Sequence, residues 1–255
     1  MVEMNKIRKM AGWMVAIGYR LLKPRSFNEW VVFHHLEPRQ FEKLIVWYHA
    51  RGLDRKLTIT FDDGWKEVAE YAKTLERYGL KAKLFIAPRE TLRGHVWTEE
   101  AARKGIADWR RLYRVGVGER ERVLGFSSSV SASVGDGRSL LTKDEILALP
   151  KCIEIENHTM SHLSATDRPV EEVIDEVREA QRTLAEWTGR SPRFIAWPFG
   201  RGDDELDRRV RALGLEPVYT NPGRPHGRTM AIEGASFLEN LGRLLGAWPK
   251  VGVTK

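Results

Sequence analysis

Apolar positions along the chain recur in two rhythms. Short apolar runs closed by polar or turn residues predict strands at Trp30–Phe33, Leu57–Phe61, Ala82–Ala87, Cys152–Glu156, Phe194–Trp197 and Pro217–Thr220. Between them, apolar residues spaced by three and four predict helices. Phe41, Leu44, Ile45 and Tyr48 share one face of Pro38–Ala50, and Val68, Ala72, Leu75 and Tyr78 share one face of Lys66–Tyr78. Thr142 with Glu145 three residues on forms a capping box that opens a helix over Thr142–Leu149. Further helices are expected over Val170–Trp187, Asp204–Leu213 and Gly234–Leu245.

Strand and helix alternate, which is the pattern of an α/β fold with parallel strands. The stretch from about residue 89 to residue 139 breaks the alternation with a charged helical piece, Trp97, Trp109 and a small-residue run from Ser127 to Gly137. A stretch of this length inside a domain is usually functional or mobile, so it is expected to be an insertion beside the active site with a flexible serine-rich part. No interdomain linker is visible, and residues 25–255 are expected to form a single domain.

Residues 1–24 differ. Lys6, Arg8 and Lys9 precede an apolar run from Met10 to Tyr19, and Arg20 and Lys23 follow it. The run is too short to span a bilayer, which takes ~20 apolar residues, and it lacks a convincing cleavage site for a signal peptide. Ile7, Met10, Met14, Ile17 and Leu21 fall on one helical face. A basic amphipathic helix of this kind lies at a membrane interface or docks on its own protein, and both options stay open.

Charge adds little to this picture. The 255-residue chain carries 42 Lys and Arg against 35 Asp and Glu, a net charge of +7, but the arginines are spread along the expected helices. Most of the excess is solvated surface, and nucleic acid is disfavoured as a partner. With a single cysteine, Cys152, the chain can form no internal disulfide. A packed core thiol is the expectation there.

The chemistry gathers at strand ends. Leu57–Phe61 runs into Asp62-Asp63-Gly64, Cys152–Glu156 into Asn157-His158-Thr159-Met160-Ser161-His162, and Phe194–Trp197 into Pro198-Phe199-Gly200. The C-terminal tips of parallel strands share one face, where ligands bind. Adjacent aspartates repel unless a cation or proton offsets them; taken alone, the pair is better explained as a helix cap. His158 and His162 stand four apart, a common chelating spacing, although histidines also cap and pack. With Asp63 they form a two-histidine, one-carboxylate set with open positions, suited to zinc, cobalt, nickel or iron. Asp62, not ligating, is then placed to take a proton from water. His34 and His35 close the first strand and are candidates for the general acid, or simply a polar strand end.

Thr60-Phe61-Asp62-Asp63-Gly64 and His158-Thr159-Met160-Ser161-His162 resemble the first two motifs of the polysaccharide deacetylases, carbohydrate esterase family four. Trp197-Pro198-Phe199-Gly200 is similar to the third. The resemblance spans roughly Val31 to Ile232. It implies a distorted, partly open (β/α) barrel with parallel strands, Asp62 as base, and Asp63, His158 and His162 around a divalent ion, Zn2+ or else Co2+, Ni2+ or Fe2+. It implies removal of N-linked acetyl groups from amino-sugar-containing glycans or their precursors. Two departures stand out. The arginine that usually opens the third motif is replaced by Ala196, and the usual Leu-x-His near the C-terminus is not evident, His226 being the only histidine after His162. A subgroup acting on biofilm poly-N-acetylglucosamine and related exopolysaccharides takes its acid histidine from the tip of the first strand. Phe33-His34-His35-Leu36 resembles that start and makes His34 the acid candidate.

Sugar faces stack on aromatic rings, so Trp65, Trp197 and Phe199, with Pro198 and His35, are candidate substrate contacts; Trp97 and Trp109 are weaker ones. Core packing is the competing account for each tryptophan. An inactive glycan-binding relative and a hydrolase of a non-sugar amide remain alternatives. The expected setting is cytoplasmic, at the inner membrane face if residues 6–23 make a peripheral contact.

Overall fold

The computed structural model describes residues 29–126, 138–220, 224 and 226–245. The amphipathic stripe expected over residues 6–23 and the run from 127 to 137 lie outside the described residues. Seven strands are present among them: β1 Trp30–Phe33, β2 Thr58–Asp62, β3 Ala82–Ile86, β4 Ile153–Asn157, β5 Phe194–Ala196, β6 Glu216–Val218 and β7 Thr229–Met230. They form one sheet in the order β6-β5-β4-β3-β2-β1-β7, every neighbouring pair parallel. Six were expected from sequence. β7 has only two residues, too few to show a period.

The helices are α1 Pro38–His49, α2 Val68–Tyr78, α3 Pro88–Arg93, α4 Trp97–Arg103, α5 Val117–Val123, α6 Lys143–Leu147, α7 Val170–Thr188, α8 Asp204–Ala212 and α9 Phe237–Leu244. The local signals do what their chemistry requires. Pro38 opens α1, and Glu37 caps it by accepting from the Gln40 N–H at 3.1 Å. The Thr142–Glu145 capping box closes with bonds of 2.7 and 3.1 Å. Gly79 ends α2 in the left-handed region at φ 63°.

Alternation along the strands sorts side chains to two faces. Val31, Phe33, Ile59, Phe61, Ile153 and Ile155 pack outward with Phe41, Leu44, Ile45 and Tyr48 of α1 and Tyr71, Ala72 and Leu75 of α2. Each large apolar side chain buried here is worth about 1.5–3 kcal/mol. A second cluster joins Ile195 and Trp197 to Val173, Ile174 and Val177 of α7 and Leu206 and Val210 of α8. The inward face holds Phe85, Ala196 and Val218, with Trp30 and Phe194 packed on them.

That inward cluster shows the curl. β1 and β5 are separated in the sheet by three strands, yet the Trp30 and Phe194 rings are 5.8 Å apart. A single parallel bridge, Tyr219 to Gly227, links the chain after β6 to the residue before Arg228 and β7. The result is the α/β distorted, partly open barrel. Across its described residues, the stretch from 89 to 139 holds more regular structure than its sequence suggests. It contributes α3, α4 and α5 and its own core of Val96, Trp97, Ala101, Leu112, Tyr113 and Leu124, which also takes in Trp65 and Leu140.

Candidate active site at the strand tips

Register brings the motifs level. Asp62 pairs with Phe85, Phe85 with Glu156, and Ile86 with Asn157, so the Asp62-Asp63 tip and the His158 tip leave the sheet at one height. Phe33 pairs with Phe61, which sets His34 beside Asp62. Beyond the tips the backbone turns sharply. Of the five non-glycine residues at positive φ among the described residues, four lie here: Asp63 (70°), Thr159 (62°), His162 (51°) and Phe199 (59°). Such conformations cluster where function holds a side chain in place. Gly64 follows at φ 88°, and a β-carbon there would come within 2.7 Å of Ile86.

Asp63 faces the histidines. Its Oδ1 lies 3.5 Å from His158 Nε2 and 3.2 Å from His162 Nε2. One ligand atom from each of the three residues falls within 4.8 Å of the others, and all three residues are buried. His158 Nδ1 is 2.7 Å from the Ala196 carbonyl. A carbonyl only accepts, so Nδ1 carries the proton and Nε2 presents its lone pair to Asp63 when the ring is neutral. Two acceptors facing each other in a buried site call for a cation between them. Asp63 Oδ1 makes no hydrogen bond. Burial opposes ionisation of Asp63, but the two histidines outweigh it and hold its carboxyl well below the usual range. Burial likewise lowers His158, yet the facing Asp63 carboxylate and the charge of Asp62 raise it overall. The donor set, one carboxylate and two imidazoles, fits a divalent ion of the zinc, cobalt, nickel or iron type.

Asp62 faces the other way, into the barrel. Arg228 grips it with two bonds, 2.5 Å to Oδ1 and 2.8 Å to Oδ2, and also donates to Thr60 Oγ1 at 3.1 Å. Both partners are buried, and the guanidinium lies over the Phe85 ring at 5.2 Å. Thr229 stands level with Val31 and Ile59, so the Arg228 side chain rises along the barrel interior to reach Asp62. Burial pushes the Asp62 carboxyl up, but Arg228, His158 and His34 outweigh it and hold it below its ordinary value. His34 Nε2 is 3.6 Å from Asp62 Oδ2, and its imidazole is 29% exposed, so it meets both the base candidate and solvent.

Arg228 is the residue sequence reasoning missed. Ala196 occupies the place of the usual third-motif arginine, and a cation arrives from the far end of the chain. The available signal was a lone arginine before a short, mostly apolar run, Thr229-Met230-Ala231-Ile232, too weak to read alone.

The aromatic candidates fall into two groups. Trp197 is fully buried, its indole N–H donating to Asp207 at 3.1 Å, and Pro198 is buried beside it. Trp65 is buried in the insertion core, with His35 against its ring at 3.6 Å. Trp65, Trp197 and Pro198 therefore offer no face to a sugar; their packing partners cover them. Phe199 stays half-buried and sets its edge on His162 at 4.7 Å, and His35 stays half-buried, 3.2 Å from Glu67. Trp97 is fully buried and Trp109 half-buried. His226 packs on Trp30 and Phe194 at the N-terminal ends of β1 and β5, the opposite end of the barrel from Asp62.

The sequence model of the polysaccharide deacetylase family matches residues 50–218. The chain belongs to the polysaccharide deacetylase family. A comparison with curated proteins found no match. Among solved structures, this deacetylase-family chain is similar to IcaB from Ammonifex degensii, with a TM-score of 0.57 and 15% identity over 86% of this chain and 97% of that one. It is similar to the Streptococcus pyogenes deacetylase PplD, solved in complex with acetate, at 0.57 and 14% over 87% and 99%. It is also similar to BC0361, a polysaccharide deacetylase from Bacillus cereus, at 0.56 and 14% over 86% and 69%. At such identities the likeness speaks for the fold.

Proposed function

We propose that this polysaccharide deacetylase-family chain is a metal-dependent hydrolase that removes N-linked acetyl groups from an amino-sugar-containing glycan or glycan precursor. One observation carries the proposal: two adjacent buried carboxylates have separate partners, Asp63 the two histidines and Asp62 the pair Arg228 and His34. Asp63, His158 and His162 would hold the ion. A divalent ion there supplies Lewis acidity, polarising an acyl carbonyl and making water easier to deprotonate.

The other steps belong to this chain's residues. Asp62 takes the proton of the attacking water on a carboxylate oxygen. Arg228 holds that carboxylate ionised and fixes its direction. His34, within reach of Asp62 and of solvent, gives a proton from its imidazole to the departing amine. With Arg228 in place, the gap at Ala196 no longer favours an inactive glycan-binding relative. An acid at the tip of β1 favours the exopolysaccharide-type arrangement, and an acetate-bound deacetylase of similar fold supports acetyl as the acyl group. A peripheral membrane contact through residues 6–23 and a cytoplasmic setting are proposals from sequence only.

Acetate release from N-acetylglucosamine oligomers by protein loaded in turn with Zn2+, Co2+, Ni2+ or Fe2+ tests the assignment. Metal-dependent release is expected. Full release in the presence of a chelator, or none with any of the four metals, would contradict it.

A further inference from the structure

From sequence, the stretch from 89 to 139 looks like a device for substrate access. Its contacts point to a second task. Three of its groups donate to three successive carbonyls of the loop that carries the histidines. The Arg89 N–H donates to Met160 O at 3.0 Å, the Arg120 guanidinium to Ser161 O at 2.7 Å, and the Trp97 indole N–H to His162 O at 2.9 Å. From the other side, Glu176 of α7 accepts from the Ser161 N–H at 2.8 Å and its hydroxyl at 2.9 Å.

The loop needs holding. Thr159 and His162 sit in the left-handed region, at φ 62° and 51°, which residues with a β-carbon disfavour. A carbonyl fixed on a donor cannot turn, and it is the turn at His162 that aims the ring at Asp63. The donors are themselves fixed. Trp97 is fully buried among Trp109, Tyr113 and Phe199, and its backbone N–H donates to the buried Glu90 at 2.7 Å. Arg120 is 2% exposed and lies over the Trp97 ring at 4.8 Å. The same cluster reaches the imidazole directly, since Phe199 packs on Trp97, Tyr113 and His162.

We propose that Trp97 and Arg120 are positioning residues for His162, so that the inserted segment is a structural part of the metal centre. This rests on the assignment of Asp63, His158 and His162 as ligands. Arg89 acts through its backbone and cannot be tested by substitution, but Trp97 and Arg120 can. Trp97→Phe keeps an aromatic ring in the cluster and removes the indole donor.

The test is Co2+ binding to the full chain, read by calorimetry and by the visible absorption of the bound ion. Trp97→Phe and Arg120→Met are expected to weaken Co2+ by about tenfold or more, the range seen when groups behind metal ligands are lost, and to shift the visible bands. Arg120→Lys, which keeps a donor and a charge, is expected to recover part of the loss. Arg120→Met leaves Glu90 and Glu176 short of a cation and can fail to fold; Trp97→Phe and Arg120→Lys then carry the test. Leu75→Ala, in a separate core cluster, is the control: it should lower the melting temperature yet leave Co2+ affinity within about twofold. Wild-type affinity and spectrum in Trp97→Phe would overturn the proposal, as would an equal loss in Leu75→Ala. Absence of Co2+ binding by the wild type would overturn the ligand assignment itself.

Discussion

The interior side of the site and its loop side are built by different means. On the interior side, Asp62 is held by one cation from a distant part of the chain, Arg228, 166 positions away. On the loop side, Asp63 and the two histidines are set by strand tips and by a backbone held in left-handed turns. Adjacent carboxylates with the same ordinary pKa thus receive different tasks from their surroundings. One is fixed by a permanent charge and stays available to a proton; the other is offered to a cation. The contrast implies that the two sides can be damaged separately.

The largest expected effect is on the loop side. Asp63→Ala or His158→Ala should lose metal and activity together, the activity by more than about 10³-fold, since a Lewis acid supplies several kcal/mol to the transition state. Metal content and acetate release on the same preparation check this. Next is His34→Ala, expected to slow release by about 10²-fold or more, as for a lost general acid, with the metal retained. Equal loss of metal in His34→Ala would erase the distinction between the two sides.

On the interior side, Arg228→Met removes one partner of a buried pair and should cost about 3–5 kcal/mol of stability, measured by denaturant unfolding. It should also move the acidic limb of the pH–rate profile upward. With Arg228 gone, burial is less opposed, the Asp62 carboxyl rises, and the base is lost to protonation at a higher pH. Metal content should stay unchanged, whereas loss of metal in Arg228→Met would blur the comparison.

The smallest effect concerns the insertion. Burial pushes Glu90 up to about 7 from an ordinary 4.5, against Arg93 and Arg120. Between these values the folded protein holds a proton that the unfolded chain has lost, so this group makes stability fall as pH rises from about 4.5 to about 7. Glu90→Gln should flatten that slope, by on the order of 1 to 3 kcal/mol across the window. Melting temperatures of the two proteins between pH 4 and pH 8, roughly spanning that window, show whether it does.

The two sides also differ in how far they could be read from the sequence. Asp62, Asp63, His158 and His162 sit where apolar runs stop, and a parallel sheet places such stops on one face; residue type and spacing alone left a helix cap or packing role open, and the resemblance of the two motifs singled these residues out. His34 was singled out by the resemblance of Phe33-His34-His35-Leu36 to the subgroup's first strand tip, its position alone fitting a polar strand end as well. Arg228 was not, because its strand is two residues long and the contact depends on curling the sheet, which no local pattern encodes. The tryptophans failed for another reason. Trp65 and Trp197 adjoin motifs, but adjacency in sequence does not say which face is covered; Trp65 lies under His35, and Trp197 is packed among side chains of α7 and α8. The insertion's side-chain bonds to the histidine loop, from Trp97 and Arg120, were equally out of reach, since each joins residues 41 or more positions apart by side-chain direction.

The central claim is that Asp62 acts beside the ion and not on it. Metal content and acetate release in Asp62→Asn test that directly. Asp62→Asn is expected to bind about one divalent ion per chain, the same as is expected of the wild type, with turnover reduced by about 10²- to 10⁴-fold. Near-normal turnover, or loss of the ion with the substitution, would contradict it.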